Sequence, residues 1–351
     1  MGSVRRGYAL LALAVAFGLL MTACTGGESD GSGAGNGDAD LPVVRFQSFG
    51  PDFTGTIYIR VMQEQGIDEK HGFQAEFVEV DPDAASSNFL IGEVEIALEQ
   101  DFINMALFQQ EGEQAVIFFP LSTMLTGMVV RADSPYQTPE DLIGKKVGHF
   151  GVESGTTSTI ALALEVMQGI DFFEDYELIE AGPPALVELL RQGEIDAYLD
   201  YEPLALQGVL EIPGRYVFQP TPAWREYSGG WSPGLTYAGA RVDWLRENPE
   251  LALAVEDALV EARQVVLDSN YEIYYEDPYN AALQIEDPEL LDAAIEYCRE
   301  LPCIAESWTE EDIQQINDYL ALFVEHGLLV TEMPQEPVAV ILEDFLAEEV
   351  G

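Results

Sequence analysis

Asp141-Leu142-Ile143-Gly144-Lys145-Lys146-Val147-Gly148-His149-Phe150 is where the chain begins its second structural unit. Lys146–Phe150 predicts a strand. After it come a helix over Thr156–Gln168, a strand at Tyr176–Ile179, a helix over Pro184–Gln192 and a strand at Ala197–Leu199. Upstream the same rhythm holds, with predicted strands at Val43–Gln47, Gln74–Val80, Ile96–Leu98, Ala115–Phe119 and Thr126–Val130. Helices over Thr54–Gln65, Ala85–Ile91 and Phe102–Glu111 separate the first of these strands. Downstream, Tyr216–Phe218 and Leu235–Ala238 close the second unit. From Val242 the pattern is helical, over Pro249–Asp268, Pro288–Arg299, Thr309–His326 and Pro337–Glu348. Two α/β units with largely parallel sheets and a helical tail predict two lobes with a cleft between them.

Met1–Thr25 reads as an export signal: Arg5 and Arg6, then the apolar run Tyr8–Met21, too short for a comfortable membrane span. Leu20-Met21-Thr22-Ala23-Cys24 resembles a lipobox, with Met21 where Leu is usual. That resemblance implies a diacylglycerol on the Cys24 thiol and a cleavage that leaves Cys24 as the mature N-terminus, with 1–24 counted as the lipoprotein signal. A plain secretory signal and an uncleaved anchor are the alternatives. Residues 25–42 are rich in Gly, Ser, Asp and Asn and cannot bury apolar surface, so they predict a flexible tether. The expectation is a soluble, extracytoplasmic body held to the cell membrane only by lipid.

About 310 residues remain, enough for two ordinary domains. Hydrophobic content of 48% allows full cores, while 63 acidic residues face 15 basic ones for a net charge of −48. The acids are spread through amphipathic segments, which predicts a solvated acidic skin suited to high salt, where screening relieves self-repulsion. No acidic loop has EF-hand spacing. Phosphates would be repelled by such a surface, which excludes nucleic acid as a partner. Cys298 and Cys303 flank a Pro-containing turn and in an exported chain read as a disulfide; a redox pair or metal site is the alternative, without Cys-x-x-Cys spacing or a nearby histidine. No metal and no cofactor is expected.

Asp141-Leu142-Ile143-Gly144-Lys145-Lys146-Val147-Gly148 resembles a "D-L-x-G-K-x-V-G" stretch of ABC-importer solute-binding proteins. Ser154-Gly155-Thr156-Thr157, Pro183-Pro184-Ala185 and Leu190–Tyr198 ("L-x-x-G-x-x-D-A") match in order, as does Gly66–Phe73 upstream ("G-x-x-x-K-x-G-F"). The branch it resembles binds sulfonates, taurine, nitrate and thiamine-pyrimidine precursors, over about Val43–Ala240. The resemblance implies a two-lobed, type II periplasmic-binding-protein fold with two hinge crossings, near Val129–Asp133 and Thr236–Arg241. Lobe 1 would comprise 43–131 plus 239–351 and lobe 2 would comprise 132–238. It implies a monomer that closes on a small-molecule ligand and delivers it to an ABC permease and ATPase complex.

Ligands of α/β sheets lie beyond the C-terminal ends of strands, beside helix N-termini. That selects Ser48, Phe49, Phe53, Tyr58, Gln100, Asp101, Ser122 and Thr123 in the first lobe. In the second it selects Ser154, Gly155, Thr156, Thr157, Asp200, Tyr201 and Glu202, with Trp231 near the second crossing as a stacking surface. Ser154–Thr157 makes a helix cap with or without a ligand. None of these positions is Arg or Lys, and the aromatic and carboxylate residues among them suit a flat, nitrogen-rich heterocycle, neutral or cationic, such as a thiamine pyrimidine precursor or flavin-like vitamin. The same fold binding a sulfonate, taurine or nitrate is the alternative. A ligand sensor for a signalling partner is another. A pyrimidine-synthase-like enzyme would need a cysteine-rich iron site, and no cysteine stands between Cys24 and Cys298; no G-x-S-x-G elbow surrounds Ser154. The chain is expected not to be an enzyme.

Overall fold

The computed structural model describes residues 41–348 apart from 49–53, 81, 153 and 284. Cys24, the leader, the tether through residue 40, Phe49 and Phe53 lie outside the described residues. Ten strands form two five-stranded sheets. The strands are Val43–Ser48 (β1), Gln74–Glu79 (β2), Ile96–Gln100 (β3), Ala115–Thr123 (β4), Thr126–Arg131 (β5), Lys146–His149 (β6), Glu177–Glu180 (β7), Ala197–Tyr201 (β8), Gly214–Phe218 (β9) and Gly234–Arg241 (β10). The first sheet has the order β2-β1-β3-β10-β4 and the second β7-β6-β8-β5-β9. In each, three parallel strands are followed by an antiparallel one: β10 against β3 and β4, β5 against β8 and β9. The sheets are therefore mixed and built alike; the second is made of the consecutive strands β5–β9, while the first takes β10 from beyond them.

The strand at Thr126–Val130 forms, but in the second sheet, where Met128 and Val130 stand opposite Leu199 and Ala197 of β8. Both of its edges are hydrogen-bonded there, to β8 and to β9, which a place beside β4 would not supply. The chain thus first changes sheet at Met124–Leu125, upstream of the crossing expected at 129–133. It returns through 219–233, which includes a helix over Pro220–Ser228, and β10 including Thr236–Arg241 lies wholly in the first sheet.

Core formation follows the helical period. In Pro249–Asp268 the buried residues Ala252, Val255, Leu259, Ala262 and Val266 recur at three- and four-residue steps and pack, with Ile57, Val61 and Met62 of the helix Thr54–Gln65, against the first sheet. Glu310–Glu325, capped by Thr309, buries Ile316, Tyr319, Leu320 and Phe323 in a core shared by residues of both sheets. The helix expected at Pro337–Glu348 covers only Leu342–Ala347. Val338 and Val340 are instead extended along β4, with Ile117 N donating to Val338 O (2.9 Å) and Val340 N donating to Ile117 O (3.0 Å). This covers an otherwise open sheet edge, a gain that outweighs helix propensity. Among the described residues no helix is long and apolar enough to cross a membrane.

Candidate functional site

The C-terminal ends of β1, β3 and β8 carry polar residues that the fold buries: Gln47, Ser48, Glu99, Gln100, Asp101 and Asp200, with Thr126 at the start of β5 beside Tyr201. Buried polar atoms are normally paired, and one left unpaired costs about 1–3 kcal/mol. Some of these are paired: Ser48 Oγ lies 3.2 Å from Thr56 Oγ1 and donates to Glu99 Oε1 at 3.4 Å, and Gln47 Nε2 donates to Ala85 O. Gln47 Oε1, Gln100 Oε1, Thr126 Oγ1 and Asp200 Oδ2 have no partner among the described residues. Unmet hydrogen-bonding capacity at opposed strand ends is what a ligand-binding cleft provides.

Glu99 was not among the residues selected from sequence. Between Ala97 and Gln100 the β3 ladder carries one residue more than the facing Tyr237–Gly239 of β10, and Glu99 takes φ +60° at that irregularity. A left-handed non-glycine residue costs about 1–2 kcal/mol. The bulge turns the carboxylate toward Ser48. The only sequence signal is the polar run Glu99-Gln100-Asp101 at a strand end, in which the bulge is invisible.

Asp101 caps the helix Phe102–Gln110: Oδ1 accepts from Asn104 N at 2.8 Å and Oδ2 from Asn104 Nδ2 at 3.0 Å. Burial raises its carboxyl to about 6 despite those bonds. Facing it from the other lobe is Gly155, where an added Cβ would lie 2.9 Å from Asp101 Oδ2. Ser154 caps the helix Gly155–Gln168, its Oγ accepting from Thr157 N at 3.1 Å, and Thr156 and Thr157 are buried beneath that turn. The cap is thus made by this chain's own groups.

Asp200 is fully buried; its Oδ1 accepts from Tyr201 N at 2.9 Å, and burial, with the charge of Glu202 adding to it, pushes its carboxyl well above the usual range. Glu202 Oε1 accepts from Tyr216 OH at 2.6 Å and Oε2 from Leu206 N at 2.9 Å, while burial raises it to about 7. It lines an apolar cavity of about 80 Å³ with Ile57, Leu125, Leu206, Tyr297 and the Cys298–Cys303 disulfide. Tyr201 meets Phe150 edge-to-face at 5.6 Å. Among the described residues, no buried polar residue is Arg or Lys.

Other selected residues lie elsewhere. Tyr58 is in the first-sheet core, because its helix turns it inward, with OH donating to Leu121 O at 3.0 Å. Ser122 Oγ is 2.6 Å from Thr236 Oγ1 across the β4–β10 ladder, and Thr123 Oγ1 donates to Pro302 O at 2.6 Å, so both hydroxyls serve the first lobe. Trp231 lines a separate pocket with Tyr237 and Trp308.

Residues 52–273, more than half of the chain, match the model of the NMT1-like family. The chain belongs to that family. No curated protein matches it by sequence. Among solved structures, this NMT1-like chain is similar to the periplasmic aliphatic sulphonate binding protein SsuA of Escherichia coli, at TM-score 0.64 and 18% identity over 86% of this chain and 96% of that one. It is also similar to the alkanesulfonate-binding protein SsuA of Xanthomonas axonopodis pv. citri bound to MOPS, at TM-score 0.64 and 15% identity over 86% and 99%. The desulfurization enzyme DszB shares the fold at TM-score 0.56 and 13% identity over 88% and 99%. The NMT1-like chain therefore has the two-lobed α/β fold of periplasmic binding proteins, as its motifs implied.

Proposed function

We propose that this NMT1-like protein is the solute-binding component of an ABC importer. It is held outside the cell by lipid on Cys24, binds one solute between its two sheets and passes it to a permease and ATPase. The lobes are residues 43–123 with 234–348, and 126–218, turning about Met124–Leu125 and 219–233. The observation that carries the reading is the set of unpaired buried atoms Gln100 Oε1, Thr126 Oγ1 and Asp200 Oδ2 at opposed strand ends. They ask for a ligand rich in hydrogen-bond donors. Glu99, Asp101 and Asp200 are buried carboxyl groups at these strand ends, and among the described residues no buried residue is Arg or Lys. A like charge at 4 Å costs about 4 kcal/mol at an effective dielectric of 20, so a neutral or cationic solute is favoured. A flat nitrogen heterocycle such as a thiamine pyrimidine precursor meets these demands.

A sulfonate, taurine or nitrate is the second reading, favoured by the helix N-terminus at Ser154–Thr157. The readings separate by proton count. A cationic or donor-rich solute would ionise Asp101 and Asp200 and release protons, whereas an anion would take them up. The mature protein in high salt should be titrated calorimetrically with pyrimidines, flavins, sulfonates and nitrate, in two buffers of different ionisation heat. Binding of a pyrimidine or flavin with proton release is expected, weakened at least tenfold in Asp200→Asn. Binding of taurine or nitrate alone, with proton uptake, would overturn the ligand assignment.

A further inference from the structure

Beside β4 and β10 lies a second pocket, of about 60 Å³, lined by Trp231, Tyr237 and Trp308, by Pro120 and Thr123, and by one carboxylate, Asp312. That volume suits a compact head group and not an extended solute. Each ring has a fixed partner. Trp308 Nε1 donates to Val340 O at 2.9 Å, Tyr237 OH accepts from Gly234 N at 2.8 Å, and Trp231 meets Tyr319 edge-to-face at 6.0 Å. Tyr237 and Trp308 stand 5.7 Å apart, tilted by 54° to one another. Asp312 is fixed too, its Oδ2 accepting from Thr309 N and Oγ1 in the cap of the following helix.

Inclined aromatic faces beside a fixed carboxylate attract a cation through the ring quadrupoles, tryptophan most strongly. Among the described residues the cation–ring contacts within the chain are Arg241 over Phe89, Arg246 over Phe345 and Arg263 over Phe119, and none of them uses these three rings. The net charge of −48 raises the local concentration of any cation. We propose that this pocket is a second binding site, selective for a small methylated or quaternary ammonium group, separate from the solute site of the strand ends. Trp231 lies on the segment that returns the chain from the second sheet to the first, so the site is built where the lobes join.

The probe is tetramethylammonium chloride, exchanged for sodium chloride at constant ionic strength and read by tryptophan fluorescence and calorimetry. Saturable binding is expected, with the neutral and similarly branched neopentyl alcohol at least tenfold weaker. Trp231→Leu should weaken binding at least tenfold. Asp312→Asn, which keeps a capping side chain, should weaken it a few-fold. Asp200→Asn should leave it unchanged, which separates this site from the solute site. If Trp231→Leu does not fold, Trp231→Phe serves, with a smaller loss expected. Equal binding of the alcohol, a response that never saturates, or indifference to both Trp231 variants would overturn the proposal.

Discussion

Gly155, in the first turn of a second-lobe helix, approaches Asp101 of the first lobe so closely that a Cβ there would stand 2.9 Å from Asp101 Oδ2. The ends of two helices, one from each lobe, are fitted to one another at this point, and the fit needs position 155 to carry no side chain.

Gly155→Ala is therefore expected to destabilise the protein by about 1–2 kcal/mol, because the Asp101 carboxylate cannot swing aside without losing Asn104. In an open helix position the same change would gain about 1 kcal/mol. Urea unfolding measures the difference, and in an Asp101→Ser background the loss should shrink. A stabilised Gly155→Ala protein would show that the lobes have room to spare here.

Burial raises Asp101 from 3.8 to about 6 and Glu202 from 4.5 to about 7. The folded state then holds these protons more tightly than the unfolded chain does. Their stabilising contribution is complete below the unfolded values and is lost as pH rises through 6 and 7. The melting temperature of the ligand-free protein should fall between about pH 5 and pH 8, and the slope should flatten in Asp101→Asn, Glu202→Gln. A melting temperature that rises over this window would contradict the burial argument.

Repulsion among 63 carboxylates is relieved by screening, so stability should climb steeply from low salt toward molar salt. Thermal melts across that range test it. A flat or falling curve would mean that the acidic residues serve another purpose.

Cys24→Ser should release the protein from membranes into the medium or the detergent-free fraction, read by fractionation and blotting. Unchanged membrane association would remove the lipid anchor and favour an uncleaved helix.

Much of the architecture is legible in the chain because it rests on local pattern. Alternation in Gln74–Glu79, the Pro-led starts of Pro183–Gln192 and Pro249–Asp268, and the Thr309–Asp312 capping box each act within a few residues. The family motifs are local as well. Strand membership is not: Thr126–Arg131 reads as a strand in any context, and which sheet it joins depends on edges contributed by β8 and β9.

By itself the sequence determined the element types, the order of the two α/β units, the acidic surface and the resemblance that names the family, all carried by neighbours along the chain. Only the tertiary structure decided where the chain changes sheet and that Val338–Val340 covers β4 instead of coiling. It also decided that Tyr58 faces the core and that Glu99 turns through a bulge onto Ser48. The physical reason is common to these cases. Hydrogen-bond pairing and burial are settled between residues far apart in sequence, and the free energy of satisfying a buried backbone or carboxyl group exceeds the local preference that a sequence displays.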